Sequence, residues 1–142
     1  MIIQNDILML ARKALTLSDD VPVEIFPFEG RGSDRTFYRL KWYNSNSVIL
    51  INYDARRTEN NYYADIAVFL RQIKIPVPKL IHHNPFQSFI IMEDLGDIDL
   101  FSLKEYPWEI QRNLYQKILD SIYRLHSFPE KDFPWKRVRL ME

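Results

Sequence analysis

The chain has 142 residues, with 19 basic and 19 acidic side chains, a formal net charge of +0 and no cysteine. That length suits one domain, the charge balance gives no field drawing the whole molecule to nucleic acid or anionic membrane, and disulfides, thiolate catalysis and cysteine-ligated metal are excluded. No apolar run reaches the roughly 18 residues of a membrane span and the N-terminus lacks a signal-peptide pattern, so a soluble cytoplasmic domain is expected.

Residues 2–16, IIQNDILMLARKALT, place Ile3, Ile7, Leu10, Ala11, Ala14 and Leu15 on one helical stripe. From Val21 to Phe28 the chain turns β-like, and Pro22 and Pro27 push this strand toward a sheet edge. TFYRLKW (36–42) and SVILINY (47–53) are two further strands joined by the polar turn YNSNS, which makes a meander. From Glu59 the period changes. Tyr62, Ile66, Phe69, Leu70 and Ile73 recur at helical spacing, predicting one amphipathic helix over 58–74, of about four turns, that Pro76 and Pro78 end. Two short apolar runs, PKLIHH (78–83) and SFIIMED (88–94), flank the turn NPFQ, and Gly96 follows directly. A last helix is predicted over 107–126, with Trp108, Ile110, Leu114, Ile118, Ile122 and Leu125 on one face. The order predicts an α+β fold: about five antiparallel strands, one crossing helix, and a helix at each end.

The chemistry-bearing stretch is EGRGSDRTFYRL (29–40), which holds two of the chain's three glycines, Gly30 and Gly32. A hairpin turn that needs positive φ would use them. So would a loop whose backbone N–H groups close on a phosphate, because any side chain there holds the backbone off the ligand. Arg31–Arg35 is too long for the tightest hairpins, and two arginines in one tip have no evident packing role. Ser33 would add a hydroxyl donor, and Arg31 or Arg35 a cation.

The chain resembles the aminoglycoside phosphotransferase family, related to choline kinase and to protein kinases. It is most similar to the bacterial branch of anomeric kinases for N-acetylmuramate and N-acetylglucosamine. The residues that carry the likeness are GSDRTFYRL (32–40), IPVPKLI (75–81), IIMEDLGDIDL (90–100) and RLH (124–126). The resemblance implies a kinase-like N-terminal lobe over 1–95, and over 96–142 a hinge with the first helix of a second lobe. It implies ATP as ligand, with Gly30, Arg31, Gly32, Ser33, Asp34 and Arg35 over the phosphates. Met92, Glu93, Asp94 and Leu95 would form the hinge, where the backbone of Glu93 and Leu95 pairs with the purine edge, and Asp97 and Asp99 would lie just beyond.

Two departures from the family matter. The third strand, Val48–Tyr53, lacks the lysine that kinase-like lobes use on the phosphates. Arg35 or Lys41 is a candidate replacement, and Glu59 a candidate partner for either. Residues 101–142 hold no His-Gly-Asp or Ile-Asp-Phe-like motif, so Asp120 and Asp132 are not read as catalytic, and Mg²⁺ ligands are expected outside this chain. The expected function is the ATP-binding lobe of a small-molecule phosphotransferase acting on an amino sugar, inactive alone. The alternative is a non-catalytic module that pairs with a separately encoded lobe, or with itself, through Trp108, Phe128, Phe133 and Trp135. Neither nucleic acid nor membrane is an expected partner.

Two further patterns are open to a metal reading. Glu93, Asp94, Asp97 and Asp99 suggest oxygen ligands, but they lack the calcium-loop spacing and also suit a solvated turn. His82 and His83, adjacent on a strand, point to opposite faces and do not easily share an ion. His126 suits a helix C-terminus, where a cation is favoured.

Overall fold

A computed structural model of the chain describes residues 4–28, 35–43 and 45–133. α1 (Gln4–Leu15) is followed by β1 (Val23–Phe28), β2 (Thr36–Trp42) and β3 (Asn46–Asn52). Then come α2 (Thr58–Asn61), α3 (Tyr63–Gln72), β4 (Leu80–Asn84), β5 (Phe89–Glu93) and α4 (Trp108–His126), with short 3₁₀ turns at Phe101–Leu103 and Glu130–Asp132. The five strands form one antiparallel sheet in the order β1-β2-β3-β5-β4. The fold is therefore α+β, and the segment between β3 and β4 crosses β5 to reach the far edge. β1 takes the other edge, where Pro27 has no ladder bond to break on its outer side.

The chain divides into two compact units, Met1–Ala64 with Pro78–Asp94, and Asp65–Val77 with Leu95–Glu142. In the first, the central strand β3 buries both faces, which is why VILI reads as an unbroken apolar run. Val48 and Leu50 join Leu40, Phe89 and Ile91 under Ile7, Leu10 and Ala11 of α1. On the opposite face Ile49 and Ile51 join Tyr53, Ala64, Ile90 and Met92, with Phe37, Tyr63 and Leu80 packed against them. Each fully buried Leu, Ile or Phe here stabilises the fold by about 1.5–3 kcal/mol.

In the second unit, Phe69 is buried and meets Phe128 and Phe133 edge-on, with ring centroids 5.1 and 4.9 Å away. Arg124 of α4 donates to the Lys74 carbonyl at 2.5 Å. No residue of α4 is buried, and Trp108 and Tyr123 are 65% and 75% exposed.

The single helix expected over 58–74 is two. α2 stops at Asn61, Tyr62 breaks the run, and α3 resumes at Tyr63. The cause lies in two asparagines whose side chains bond to backbone outside the helix. Asn60 Nδ2 donates to the Asp54 carbonyl at 2.9 Å, and Asn61 Nδ2 to the Ala55 carbonyl at 3.0 Å. Such bonds compete with the helical ladder. α1 and α3 end in the same way. Leu17 N–H bonds the Arg12 carbonyl and Ile75 N–H the Leu70 carbonyl, both at 2.9 Å. The residue before each bond, Thr16 or Lys74, sits at positive φ, 55° and 62°. These are six-to-one caps built without glycine.

Candidate functional site

The sheet face opposite α1 carries the candidates. Alternation along β2 puts Phe37, Arg39 and Lys41 on it, since Tyr38, Leu40 and Trp42 face α1's cluster. Arg39 lies opposite Ile49, which in turn lies opposite Met92. An apolar floor of Ile49, Ile51, Ile90 and Met92 is thus bordered on the β2 side by two cations.

Gly30, Arg31, Gly32, Ser33 and Asp34 lie outside the described residues. On either side of it, Phe28 of β1 pairs with Phe37 of β2. Arg35 follows it. Its Nε donates to Asn60 Oδ1 at 2.8 Å, and its guanidinium lies 4.9 Å from the Tyr63 ring centroid. Asn60 is 3% exposed and satisfied at both ends of its amide. Lys41 is elsewhere, with Nζ 5.5 Å from the centroid of Phe26 on β1.

The structure does not bring Glu59 to Arg35 or Lys41, as the sequence suggested. Glu59 stands 3.8 Å from Arg57, and its neighbour Asn60 takes the place beside Arg35. The short turn of α2 decides this: it turns Asn60 inward and leaves Glu59 half-exposed.

At the end of β5, Met92 is buried and Glu93 is tied to β4's approach from both its backbone and its side chain. Glu93 N–H donates to the Lys79 carbonyl at 2.9 Å, and Lys79 N–H donates to Glu93 Oε2 at 3.0 Å. Asp94 is ion-paired with Arg39: Nη2 donates to Oδ1 at 3.1 Å, while Nε lies 2.7 Å from Oδ2 without the alignment of a hydrogen bond. The Asp94 side chain is 5% exposed and that of Arg39 16%. Leu95, where the chain enters the second unit again, is 66% exposed.

The acidic residues after β5 are not gathered. Asp99 accepts from Ser102 N–H at 2.7 Å and Ser102 Oγ at 2.6 Å, closing a turn. Among the described residues no three His, Asp or Glu side chains cluster for a metal ion. The two histidines of β4 do face opposite ways: His83 Nε2 lies 2.9 Å from the Tyr53 hydroxyl, while His82 stacks on Phe89. Burial pushes the Tyr53 phenol above its ordinary value. Beside α2, Asp54 is held down to about 2 by hydrogen bonds from the Arg56 side chain and backbone. A cavity of about 400 Å³ lies on the α1 side, lined by Leu8, Met9, Arg12, Lys13, Leu17 and Asp19.

Arg39 and Asn60 were not among the candidates read from sequence. The signal for Arg39 was its alternation with Phe37 on a face opposite Ile49, where a charge needs a counter-charge; Asn60 left none. No helix of the described residues is long and apolar enough to cross a membrane. Neither the protein-family models nor the curated proteins contain a match to this chain.

Proposed function

We propose that this chain is the nucleotide-binding lobe of a kinase-like phosphotransferase that acts on a small hydroxylated acceptor, an amino sugar. The observation that carries it is the sheet order β1-β2-β3-β5-β4 with its crossing segment, combined with glycines between β1 and β2 and Met92–Asp94 at the end of β5. ATP would set its base against the backbone at the end of β5 and its phosphates toward the 29–35 segment, with Arg35 as the nearby cation. Lys41, opposite Glu24 and Ser47, stands at the other end of β2. Glu93 N–H is already committed to Lys79, so Glu93 would offer the purine its carbonyl, and Leu95 its N–H. Bound ATP would supply the phosphoryl group for transfer to a hydroxyl. Among the described residues no cluster of three His, Asp or Glu is present for Mg²⁺.

Titration of the ¹⁵N-labelled chain with MgATP tests this directly. Binding on the order of millimolar, worth ~4 kcal/mol, is expected. The shifts should concentrate on Phe37 and Met92–Leu95. No shifts in that set at tens of millimolar, on the order of a tenfold excess over the expected dissociation constant, would sink the proposal.

The second reading, a non-catalytic module that pairs with another lobe, is favoured by α4 alone. A 19-residue helix with no buried residue presents Ile110, Ile118, Leu119 and Ile122 at 41–59% exposure. Apolar patches of that kind mark contact surfaces.

A further inference from the structure

We propose that Arg39 and Asp94 are a positioning pair for base recognition, a step that rests on the nucleotide reading above. Arg39 stands on β2, and Asp94 is the first residue beyond β5, with β3 between them. Two strand spacings amount to about 10 Å. The Arg39 side chain therefore passes across β3 on the Ile49 face to the carboxylate, where Nη2 donates to Oδ1 at 3.1 Å and Nε lies 2.7 Å from Oδ2.

A buried ion pair is seldom retained for stability, because desolvation offsets most of the attraction. Its gain is geometric. A charge-assisted hydrogen bond from a guanidinium fixes the direction of the carboxylate it holds. Here that carboxylate belongs to the residue where β5 leaves the sheet, the place where a strand end would ordinarily fray. The neighbouring residue is fixed by its two bonds to Lys79, at 2.9 and 3.0 Å. The Glu93–Asp94 peptide is thus held through both its residues, by the ion pair at Asp94 and by the bonds of Glu93 to the Lys79 backbone.

A backbone carbonyl that reads the edge of a planar heterocycle must be held to within about 0.5 Å. The pair supplies that hold at the residue proposed to meet the purine. It lies on another part of the face from Arg35, which contacts Asn60 and Tyr63. Recognition of the base should therefore depend on Arg39 and Asp94, and attraction of the phosphates should not.

The test compares adenosine with inorganic tripolyphosphate as ligands of the full chain, read by the same labelled-amide titration. Arg39→Lys keeps the charge but loses the Nη2 hydrogen bond and the planar guanidinium. The double variant Arg39→Met/Asp94→Leu removes both charges at once and leaves no buried ion alone, so it should remain folded. The expected result is adenosine affinity lowered at least about tenfold in the double variant and less in Arg39→Lys. Tripolyphosphate affinity should stay within about twofold of the original. A folded double variant that binds adenosine as the unaltered chain does would overturn the proposal. So would an equal loss for both ligands, which would make the pair a general strap of the sheet. If the unaltered chain binds neither ligand, the nucleotide reading itself fails and the positioning role falls with it.

Discussion

Two arginine–aspartate pairs in the first unit show how burial changes what the same chemistry does. Asp54 and Arg56 are neighbours on an exposed turn, joined by contacts of 2.6–3.0 Å, and the arginine side chain is 91% exposed. The hydrogen bonds from Arg56 hold the Asp54 carboxyl down to about 2 from its ordinary 3.8. Because the folded value is depressed, the stabilisation is present above pH 3.8 and is lost as pH falls through about 2. A carboxyl-detected titration should place the Asp54 midpoint near 2, and Arg56→Ala should return it toward 3.8. A midpoint unchanged by that substitution would show that the bonds do not persist in solution. Arg39 and Asp94, by contrast, are shielded from water, and removing one of them strands the other at a cost of about 3–5 kcal/mol. Asp94 was legible as part of a hinge-like motif. Its partner was not, because Arg39 lies 55 positions away and only the register of β2, β3 and β5 brings the two together.

Individual elements were read well where one physical signal dominated. The apolar run of β3, the prolines of edge strand β1, and the stripe of α4 each depended on local pattern alone, and each element appears within a few residues of its expected place. The helix over 58–74 was misread because its apolar period is sound while Asn60 and Asn61 bond sideways to Asp54 and Ala55, a competition that periodicity cannot register. The helix ends were equally hidden. A chain with three glycines caps α1 and α3 with Thr16 and Lys74 in the left-handed region, where an L side chain is strained by about 1–2 kcal/mol. Glycine removes that strain but gives back about 0.5–1 kcal/mol through the freedom of its unfolded chain. Thr16→Gly and Lys74→Gly are therefore each expected to stabilise the fold by roughly 0.5–1 kcal/mol. Urea unfolding measures this, and a lowered midpoint in either variant would mean that the side chain makes compensating contacts.

At the scale of the whole molecule, the uneven distribution of burial should produce uneven dynamics. Val48–Ile51 and Phe89–Met92 are buried residue by residue on the two central strands. Their amides can exchange only when the sheet opens, so their protection should approach that of global unfolding. α4 offers a different case. Its 19 residues form good helical bonds, yet none is buried, and its described anchors are Gln111 on the adjacent Lys104 and Tyr106 carbonyls, Arg124 on the Lys74 carbonyl and the Phe69–Phe128–Phe133 contacts beyond its C-terminal end. Helices of this length are marginal in water without a packed face. Amides of α4 are expected to exchange at least about a hundredfold faster than those of β3 and β5, with the slowest of them near Arg124. Native-state hydrogen exchange on a dilute sample decides this residue by residue. If α4 is instead as protected as the central strands, something covers Ile110, Ile118 and Ile122 in solution. Repeating the measurement at lower concentration then separates two causes: protection that falls on dilution belongs to self-association through that face, and protection that persists belongs to packing within one chain.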